Sequence, residues 1–437
     1  MPLHYHIHRP ESPVPAPPTQ SAPQASALPS PLHASLPVPT PLPASLPVPA
    51  PLPASLRDAI APFSPVEASK ALHFHQSVEG YTPTPLHDLP NLAARMGVAQ
   101  VLVKDESFRF GLNAFKALGG SYAIHRYLSR NLDLVASPTA GRTAIPPSNP
   151  NLPSAQVTFV TATDGNHGRG VAWAARQAGH KAVVYLPEGS APQRIEAIRA
   201  QGAQATMLDM NYDQAVRFAR HQANRNGWVL LQDTDLPGYQ EIPLWIMQGY
   251  STIATEIIQQ LQAAGALWPT HLFLQAGVGS FSGAMIATFL TAEVPHEMPI
   301  ICIVEPEAAN CLFKSAQSGR LEVVDGEMPS MMAGLCCGVP CTMGWNIIRQ
   351  TARAFVSCPD DYAAAGMRVL GRPQGSDPAI VSGESGAVTL GVAHACMTDP
   401  ALADLKAALG LNSGSRILCI STEGDTDPVN YQAVRKG

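Results

Sequence analysis

Short apolar runs that end in glycine-containing turns constrain this chain more than any other feature of its sequence. V-T-F-V at 157–160 leads into D-G-N-H-G, T-H-L-F-L-Q at 270–275 into A-G-V-G-S, and R-I-L-C-I-S at 416–421 into T-E-G. Similar runs lie at 101–103, 182–186 and 301–306, with helix-like stretches such as 114–128 between them. Apolar strands that alternate with helices indicate an α/β fold of mostly parallel sheets covered by helices on both faces. Ligands of such sheets bind beyond the carboxyl ends of the strands, where these turns occur.

Composition narrows the possible partners. The 437 residues include 28 Lys and Arg against 33 Asp and Glu, a net charge of −5, which gives no general attraction to nucleic acid or to an anionic membrane. No apolar run reaches the roughly 18 residues that a membrane helix needs. The first ten residues also lack the apolar stretch of a signal peptide. We therefore expect a soluble cytoplasmic protein that binds neither nucleic acid nor a membrane.

The N-terminal segment differs from the rest of the chain. Of the 42 prolines, 17 fall within the first 57 residues, and a ten-residue repeat, P-L-x-A-S-L, begins at Pro31. Proline fixes its own φ and has no backbone N–H, so the stretch favours extended polyproline II. We predict a disordered tail over residues 1–60, either a dispensable extension, which we favour, or a ligand for a proline-binding groove. A second Pro- and Ser-rich stretch, 136–155, is predicted to be a surface loop.

Histidine and cysteine give weaker indications. The alternation of His4, His6 and His8 is a poor metal signal, and we predict no metal site. The eight cysteines all lie in the last third of the chain, without paired C-x-x-C units of zinc spacing. Buried thiols are the expected state. A local disulfide between Cys311 and either Cys336 or Cys337 remains open.

Three turns contain the residue types that a binding site needs. In Gln275–Gly283 the glycines at 277, 279 and 283 allow backbone N–H groups to approach an anion, but the spacing is not the dinucleotide fingerprint. In Thr161–Gly168, Asp164 and Asn166 lie among glycines at a strand end, and His167 beside them is expected to make a structural hydrogen bond.

The third turn contains Lys116, in F-K-A-L-G-G. Its neighbours are apolar or small, and desolvation lowers the pKa of a lysine, as an imine-forming lysine requires. The alternative is an ordinary lysine whose stem lies on the surface and whose ammonium reaches water.

Together the three turns resemble one family, the tryptophan-synthase-β-like pyridoxal-phosphate enzymes of fold type II. The likeness is carried by F-K-x-L-G-G, by D-G-N-H-G about fifty residues later and by the G-V-G-S loop, with T-P-T-P-L at 82–86 and K-D-E at 104–106. It implies two open, twisted, mostly parallel sheets flanked by helices. We expect one catalytic region over 66–437 with two α/β subdomains, the smaller at roughly 100–230 and the larger built from the flanking N-terminal part and 231–437.

The resemblance also implies roles for individual residues toward pyridoxal 5'-phosphate. Lys116 would form the Schiff base, and Asn166 would hydrogen-bond the phenolic oxygen. Thr422, or Ser421 beside it, would face the pyridine nitrogen, where a hydroxyl leaves that nitrogen largely unprotonated and suits β-elimination. Glu384 matches a glutamate that related dehydratases keep near the same ring. The phosphate would be held by the loop of Gly277, Val278, Gly279 and Ser280.

Longer motifs resemble one branch of the family, the diaminopropionate ammonia-lyases. They include R-F-G-L-N-A-F-K-A-L-G-G-S-Y-A, T-D-G-N-H-G-R-G-V-A-W-A-A, W-I-M-Q-G-Y, S-G-E-S-G-A-V and S-T-E-G-D-T-D. Two departures from ordinary serine and threonine dehydratases agree with this branch. Asp164 stands where most of the family has Ser or Thr, and Leu118 stands where Arg is usual. An aspartate there would repel a carboxylate but can accept a proton or bind an ammonium.

This resemblance implies α,β-elimination of 2,3-diaminopropionate to pyruvate and two ammonia by a homodimer. Lys116 would take the α-proton of the L-isomer and Asp164 that of the D-isomer. Asp233 would act near the distal amine, with Asp235 as the alternative. The rival functions are a serine or threonine dehydratase of the same fold and a non-catalytic amino-acid or cofactor sensor.

Overall fold

The computed structural model describes residues 2–8, 52–131, 156–163, 165–293 and 297–436. The strands in these ranges are β1 (His4–Ile7), β2 (Leu86–Asp88), β3 (Gln100–Asp105), β4 (Thr158–Ala162), β5 (Lys181–Leu186), β6 (Gln204–Met207), β7 (Val229–Leu230), β8 (His271–Gln275), β9 (Ile300–Pro306), β10 (Ala352–Cys358) and β11 (Arg416–Ser421).

The α-helices in the same ranges are α1 (Ala54–Ile60), α2 (Pro65–Ser77), α3 (Pro90–Met96), α4 (Ala117–Asn131), α5 (Asn166–Gln177), α6 (Pro192–Arg199), α7 (Tyr212–Asn226), α8 (Glu241–Ala263), α9 (Ser280–Thr291), α10 (Cys311–Ser318), α11 (Thr342–Thr351), α12 (Asp360–Gly371), α13 (Glu384–Thr398), α14 (Ala403–Leu409) and α15 (Pro428–Lys436). A 3-10 segment, Glu106–Gly111, follows β3. None of the helices described is long and apolar enough to cross a membrane.

The strands form two sheets, as the sequence predicts. The larger has the order β1-β10-β9-β8-β11-β3-β2, in which the five inner strands are parallel and the edge strands β1 and β2 are antiparallel to their neighbours. The smaller has the order β6-β5-β4-β7 and is entirely parallel. The apolar runs that alternate with helices are these buried parallel strands. The predicted fold class, two mostly parallel sheets flanked by helices, is thereby confirmed.

The predicted start of the smaller subdomain, near residue 100, is too early. β3 pairs along its whole length with β11, with Val101 opposite Ile417 and Asp105 opposite Ser421, and therefore belongs to the larger sheet. The four strands of the smaller sheet lie between Thr158 and Leu230. An apolar run predicts a buried strand but does not specify its partner, which explains the error.

Both ends of the predicted N-terminal tail are ordered, which corrects the prediction for those residues. β1 adds to the edge of the larger sheet, with His4 opposite Ser357 and Ile7 opposite Ala354. α1 buries Leu56 and Ile60. Alternating residues can pair at a sheet edge even when few are apolar, and the proline count of the whole segment hides this. The repeat from Pro31 and the stretch 136–155 lie outside the described residues, so those predictions stay as they are.

Close packing fixes the segment that begins α4. Helices α4 and α8 cross at Gly249, where an added Cβ would lie 2.5 Å from the carbonyl oxygen of Leu118. Any larger side chain there would push the start of α4 away. Lys116 immediately precedes this helix, so its position depends on that contact.

A buried group of four charged side chains lies between β3 and α8. Lys104 Nζ donates to Glu256 at 2.7 Å, and Arg109 donates to Glu256 at 2.7 and 2.9 Å and to Glu106 at 2.8 and 2.9 Å. All four side chains are almost completely buried. Because two positive and two negative side chains pair with each other, the group avoids the large free-energy cost of burying a single unpaired charge. The group joins β3 and the turn after it to α8.

Candidate active site

One cavity lies where the carboxyl ends of strands from both sheets meet. The turn after β4 contributes one wall, the turns after β8 and β11 contribute the opposite wall, and Asp233 from the segment after β7 also lines the cavity. Its lining includes Lys116, Thr163, Asn166, His167, Tyr212, Asp233, Gln275, Gly277, Val278, Gly279, Ser280, Cys337, Ser385, Thr422 and Glu423. Three separate sequence motifs thus meet at the place where parallel sheets bind ligands.

Lys116 and Asp233 form an ion pair in this cavity. Lys116 Nζ donates to Asp233 Oδ2 at 2.6 Å, with exposed side-chain fractions of 19% and 6%. Burial acts to raise the pKa of Asp233, but the Lys116 ammonium outweighs it and holds that pKa at about 2. Burial also acts to lower the pKa of Lys116, but Asp233 outweighs it and keeps that pKa above its ordinary value. In the protein without ligand, both groups are charged.

The prediction of a lowered pKa for Lys116 is therefore wrong for this state of the protein. The apolar neighbours that motivated it do desolvate the amine, and the rings of Phe115 and Tyr250 lie 5.4 and 5.8 Å from Nζ. The counter-charge comes from Asp233, 117 positions further along the chain, and no local pattern indicates it.

Asp233 and Asp235, left as alternatives by the sequence, have different partners. Asp233 faces Lys116 in the cavity. The carboxylate of Asp235 instead accepts the backbone N–H of Thr342 at 2.6 Å, at the beginning of α11. Asp235 thus holds a helix N-terminus, where a carboxylate is favourable. Of these two aspartates, Asp233 is the one that lines the cavity.

The loop Gly277–Ser280 leads from β8 into α9 along the cavity. Gly279 has φ +92°, a left-handed conformation, and a Cβ there would lie 3.1 Å from Leu312 and 3.2 Å from Ile348. The first N–H groups of a helix have no partner within the helix and carry partial positive charge. This loop can therefore hold an anion with backbone alone.

Asn166 begins α5 and lines the opposite wall. Its side-chain N–H donates to a carboxylate oxygen of Glu423, which also lines the cavity and is almost fully buried. The sequence prediction missed Glu423. It lies in the quoted motif S-T-E-G-D-T-D, directly after Thr422, and this adjacency is the signal that could have indicated it.

The structure separates the two hydroxyl candidates for the pyridine nitrogen. Thr422 lines the cavity, and its hydroxyl accepts a hydrogen bond from Gln275 at 2.9 Å. The hydroxyl of Ser421 donates to Ser382 at 2.8 Å and is not among the lining groups. Alternate residues of a strand point to opposite faces, which accounts for the difference.

Glu384, predicted to lie near the cofactor ring, does not line the cavity. Its carboxylate accepts a hydrogen bond from Asn430, and burial followed by the nearby Glu423 raises its pKa to about 7. The glutamate in the cavity wall is Glu423. Glu384 is the first residue of α13, so its direction depends on helix geometry that the motif G-E-S-G does not specify.

His167 makes the structural hydrogen bond that was expected. Its Nε2 donates to the carbonyl of Leu231 at 2.8 Å, and burial lowers its pKa, so the ring is neutral. A carbonyl only accepts, so Nε2 carries the hydrogen and Nδ1 is an acceptor, 4.0 Å from Asp233 Oδ2.

Some predictions concern residues elsewhere or outside the described ranges. Asp164 lies outside the described residues, so its predicted role is not tested. All eight cysteines are thiols, and the disulfide left open between Cys311 and Cys336 or Cys337 is not formed. Cys311 Sγ lies 3.6 Å from the carbonyl oxygen of Gly277. Among the described residues no group of His, Cys, Asp and Glu has an arrangement suited to a metal ion.

Comparison with known proteins agrees with this geometry. Residues 78–423 match the family model described as pyridoxal-phosphate dependent enzyme. The chain belongs to this family. It is 48% identical over 372 residues to diaminopropionate ammonia-lyase of Escherichia coli (strain K12), covering 85% of this chain and 92% of that protein. The corresponding protein of Salmonella typhimurium (strain LT2) is 47% identical, covering 84% and 91%.

A solved structure shows the same fold. It is the crystal structure of diaminopropionate ammonia lyase from Escherichia coli in complex with an aminoacrylate–PLP azomethine reaction intermediate. It superposes with a TM-score of 0.78 at 46% identity and covers 86% of this chain and 92% of that chain. The predicted family and fold type II are confirmed.

The cavity fits pyridoxal phosphate. It offers a lysine amine for the aldehyde, the backbone of a helix N-terminus for the phosphate, and the hydroxyl of Thr422 for the ring. Within the described part of the chain, three buried lining atoms also have no hydrogen-bond partner: His167 Nδ1, Gln275 Oε1 and Ser385 Oγ. Buried polar atoms are normally satisfied, so these three indicate that a polar ligand belongs in the cavity.

Proposed function

We propose that this protein catalyses the pyridoxal-phosphate-dependent α,β-elimination of 2,3-diaminopropionate to pyruvate and two ammonia. The observation that carries the proposal is the Lys116–Asp233 pair, 2.6 Å apart, in the cavity that the glycine loop, Asn166 and Thr422 also line. The 48% identity to a diaminopropionate ammonia-lyase over most of both chains supports the substrate.

The cofactor would be held by residues on three sides of the cavity. Lys116 would bond its aldehyde carbon, the backbone of the loop 277–280 would bind its phosphate, and Asn166 would donate to its phenolic oxygen. Thr422 would face its pyridine nitrogen, and Gln275 fixes that hydroxyl. When bound, pyridoxal phosphate withdraws electrons from the substrate's α-carbon, which makes the α-proton acidic.

Asp233 has a different role in each stage. Before the cofactor binds, it neutralises Lys116. Once the Lys116 amine is bonded to the cofactor or has lost its proton, Asp233 lacks a counter-ion in a buried site. The second ammonium of the substrate can take that place. This explains how the cavity would select a substrate with a distal amine over serine, whose hydroxyl carries no charge.

The proton transfers then follow from the same pair. The neutral Lys116 amine takes the α-proton of the L-isomer. The electrons of the Cα–H bond would form the Cα–Cβ double bond while the electrons of the Cβ–N bond leave with the nitrogen. The distal ammonium, paired with Asp233, would thereby depart as neutral ammonia. The released enamine takes up water and gives pyruvate and the second ammonia. A positioned acid or base contributes roughly 10²–10⁴-fold to such a step.

Asp164 completes the proposal for the D-isomer. We assign it as the base on the opposite face of the α-carbon, on the basis of the family resemblance at T-D-G-N-H-G. Thr163 and Asn166 of the same motif both line the cavity, which agrees with this assignment.

A side-by-side assay distinguishes this function from its rival. L-threonine ammonia-lyase of Geobacter sulfurreducens is 29% identical over 212 residues, 48% of this chain, a more distant likeness than that to the diaminopropionate enzymes. Purified protein with pyridoxal phosphate should release pyruvate from diaminopropionate at a higher kcat/KM than from serine or threonine. Faster turnover of serine or threonine would assign the protein to the dehydratases.

We further infer a cytoplasmic homodimer. The eight cysteine thiols agree with a reducing compartment, and the homodimer rests on the family resemblance. Light scattering coupled to size-exclusion chromatography tests the second inference. A mass near twice 46.2 kDa is expected, and a monomer would contradict it.

A further inference from the structure

We propose that Glu423 is a positioning residue that turns the Asn166 amide so that an N–H group points to the cofactor's phenolic oxygen. This inference rests on the proposed function, because it concerns the cofactor that the function requires. Its starting point is the hydrogen bond from Asn166 Nδ2 to Glu423 Oε2 across the cavity. Both residues line that cavity together with Lys116 and Thr422.

The direction of the Asn166 amide follows from what each group can donate or accept. Both carboxylate oxygens of Glu423 accept hydrogen bonds, so the NH₂ end of Asn166 faces Glu423. That NH₂ group carries a second hydrogen, directed about 120° from the first. A phenolate oxygen also only accepts, so the second N–H is the correct partner for it. An unguided Asn166 could equally present its carbonyl oxygen, which would repel the phenolate.

Glu423 is itself held rigidly, as an orienting group must be. Its Oε1 accepts the backbone N–H of Ser385 at 3.1 Å, and its Oε2 also accepts the Thr426 hydroxyl at 3.1 Å. Its backbone pairs with Ala114, two residues before Lys116. The side chain also packs closely against Gly383, where an added Cβ would lie 3.0 Å from Glu423 Cγ.

The contact also joins the two walls of the cavity. Asn166 follows β4 of the smaller sheet, and Glu423 follows β11 of the larger one. The hydrogen bond therefore fixes the phenolic-oxygen side of the site relative to Thr422, which neighbours Glu423 in sequence. Loss of the carboxylate should loosen the binding of the cofactor and alter its electronic state, in addition to any effect on turnover.

The test is a titration of the cofactor-free protein with pyridoxal phosphate. Glu423→Gln keeps the shape of the side chain but replaces one acceptor oxygen by a donor, so it cannot accept from both Ser385 and Asn166. We expect Kd for pyridoxal phosphate to rise about tenfold, the effect of one lost hydrogen bond, and the pH dependence of the bound cofactor's absorbance to change. Asp425→Asn, a carboxylate in the same turn that contacts Asn113, is the matched control and should keep the parent Kd.

A double-mutant cycle distinguishes orientation of Asn166 from a general structural effect. If Glu423 acts through Asn166, Glu423→Gln should weaken binding in the parent protein but add nothing in an Asn166→Ala background. Additive losses, or a parent-like Kd and absorbance in Glu423→Gln, would overturn the inference. If Glu423→Gln does not fold, Glu423→Asp replaces it. Its shorter carboxylate cannot reach Asn166, so the same tenfold loss of affinity is expected. A parent-like Kd in this variant would again overturn the inference. Absence of any cofactor binding in the parent protein would instead refute the proposed function.

Discussion

Replacing Asp233 with asparagine should make Lys116 far easier to deprotonate in the cofactor-free protein. The Asp233 carboxylate has a pKa of about 2 against an ordinary 3.8, although its burial acts in the opposite direction. One pKa unit corresponds to 1.36 kcal/mol, so the interactions that lower this pKa, led by Lys116, amount to more than roughly 2 kcal/mol. The same interaction acts on Lys116. In Asp233→Asn the largest interaction that opposes its burial is lost, and its pKa should fall by about two pH units or more.

The pH dependence of lysine acylation, followed by peptide mass spectrometry, measures this change. At a pH below the pKa of Lys116 in both the parent and Asp233→Asn, the fraction of neutral Lys116 should be about 100-fold higher in the variant. Asp235→Asn is the matched control, because Asp235 contacts Thr342 instead of Lys116, and the exposed Lys181 is an internal reference. If Lys116 reacts with the same pH dependence in Asp233→Asn and in the parent, the reasoning about the ion pair is refuted.

Three further predictions concern the loop, the second base and a buried acid. Gly279→Ala forces a side chain into a left-handed backbone 3.1 Å from Leu312, so pyridoxal phosphate should bind at least tenfold more weakly. An unchanged Kd in an absorbance titration would contradict phosphate binding by the loop 277–280. Asp164→Asn should reduce turnover of D-diaminopropionate about 10²–10⁴-fold and that of the L-isomer much less; equal losses would remove the two-base assignment. Burial raises the pKa of Glu305 to about 8 from 4.5. The stability from its neutral form is therefore complete below pH 4.5 and lost as pH rises through 8. Thermal unfolding of Glu305→Gln should depend less on pH between 5 and 8, and an unchanged dependence would refute this.

The sequence predicts the elements around the site because local patterns determine them. The apolar runs at 157–160 and 270–275 become β4 and β8, and the glycine loop after β8 reaches the cavity as expected. Lys116, Asn166 and Asp233 also meet there, although 117 positions separate the first from the last. The order of the motifs along the chain predicts that these residues meet only because it resembles the order found in the family.

What the sequence did not predict depends on contacts between distant segments. The charge on Lys116 is set by Asp233, the sheet that contains β3 is set by its pairing with β11, and the glutamate of the cavity wall is Glu423 instead of Glu384. Each depends on which residues become neighbours in space. Periodicity and composition describe one segment at a time and leave such choices open.

The most direct test of the central claim is the ratio of ammonia to pyruvate released from 2,3-diaminopropionate by the holoenzyme and by Lys116→Ala. Elimination of the distal amine followed by hydrolysis predicts two ammonia per pyruvate, and loss of both products when Lys116 is replaced. Full turnover by Lys116→Ala would show that this lysine takes no part in the reaction. A ratio of one, or no pyruvate from the cofactor-loaded protein, would contradict the proposed elimination.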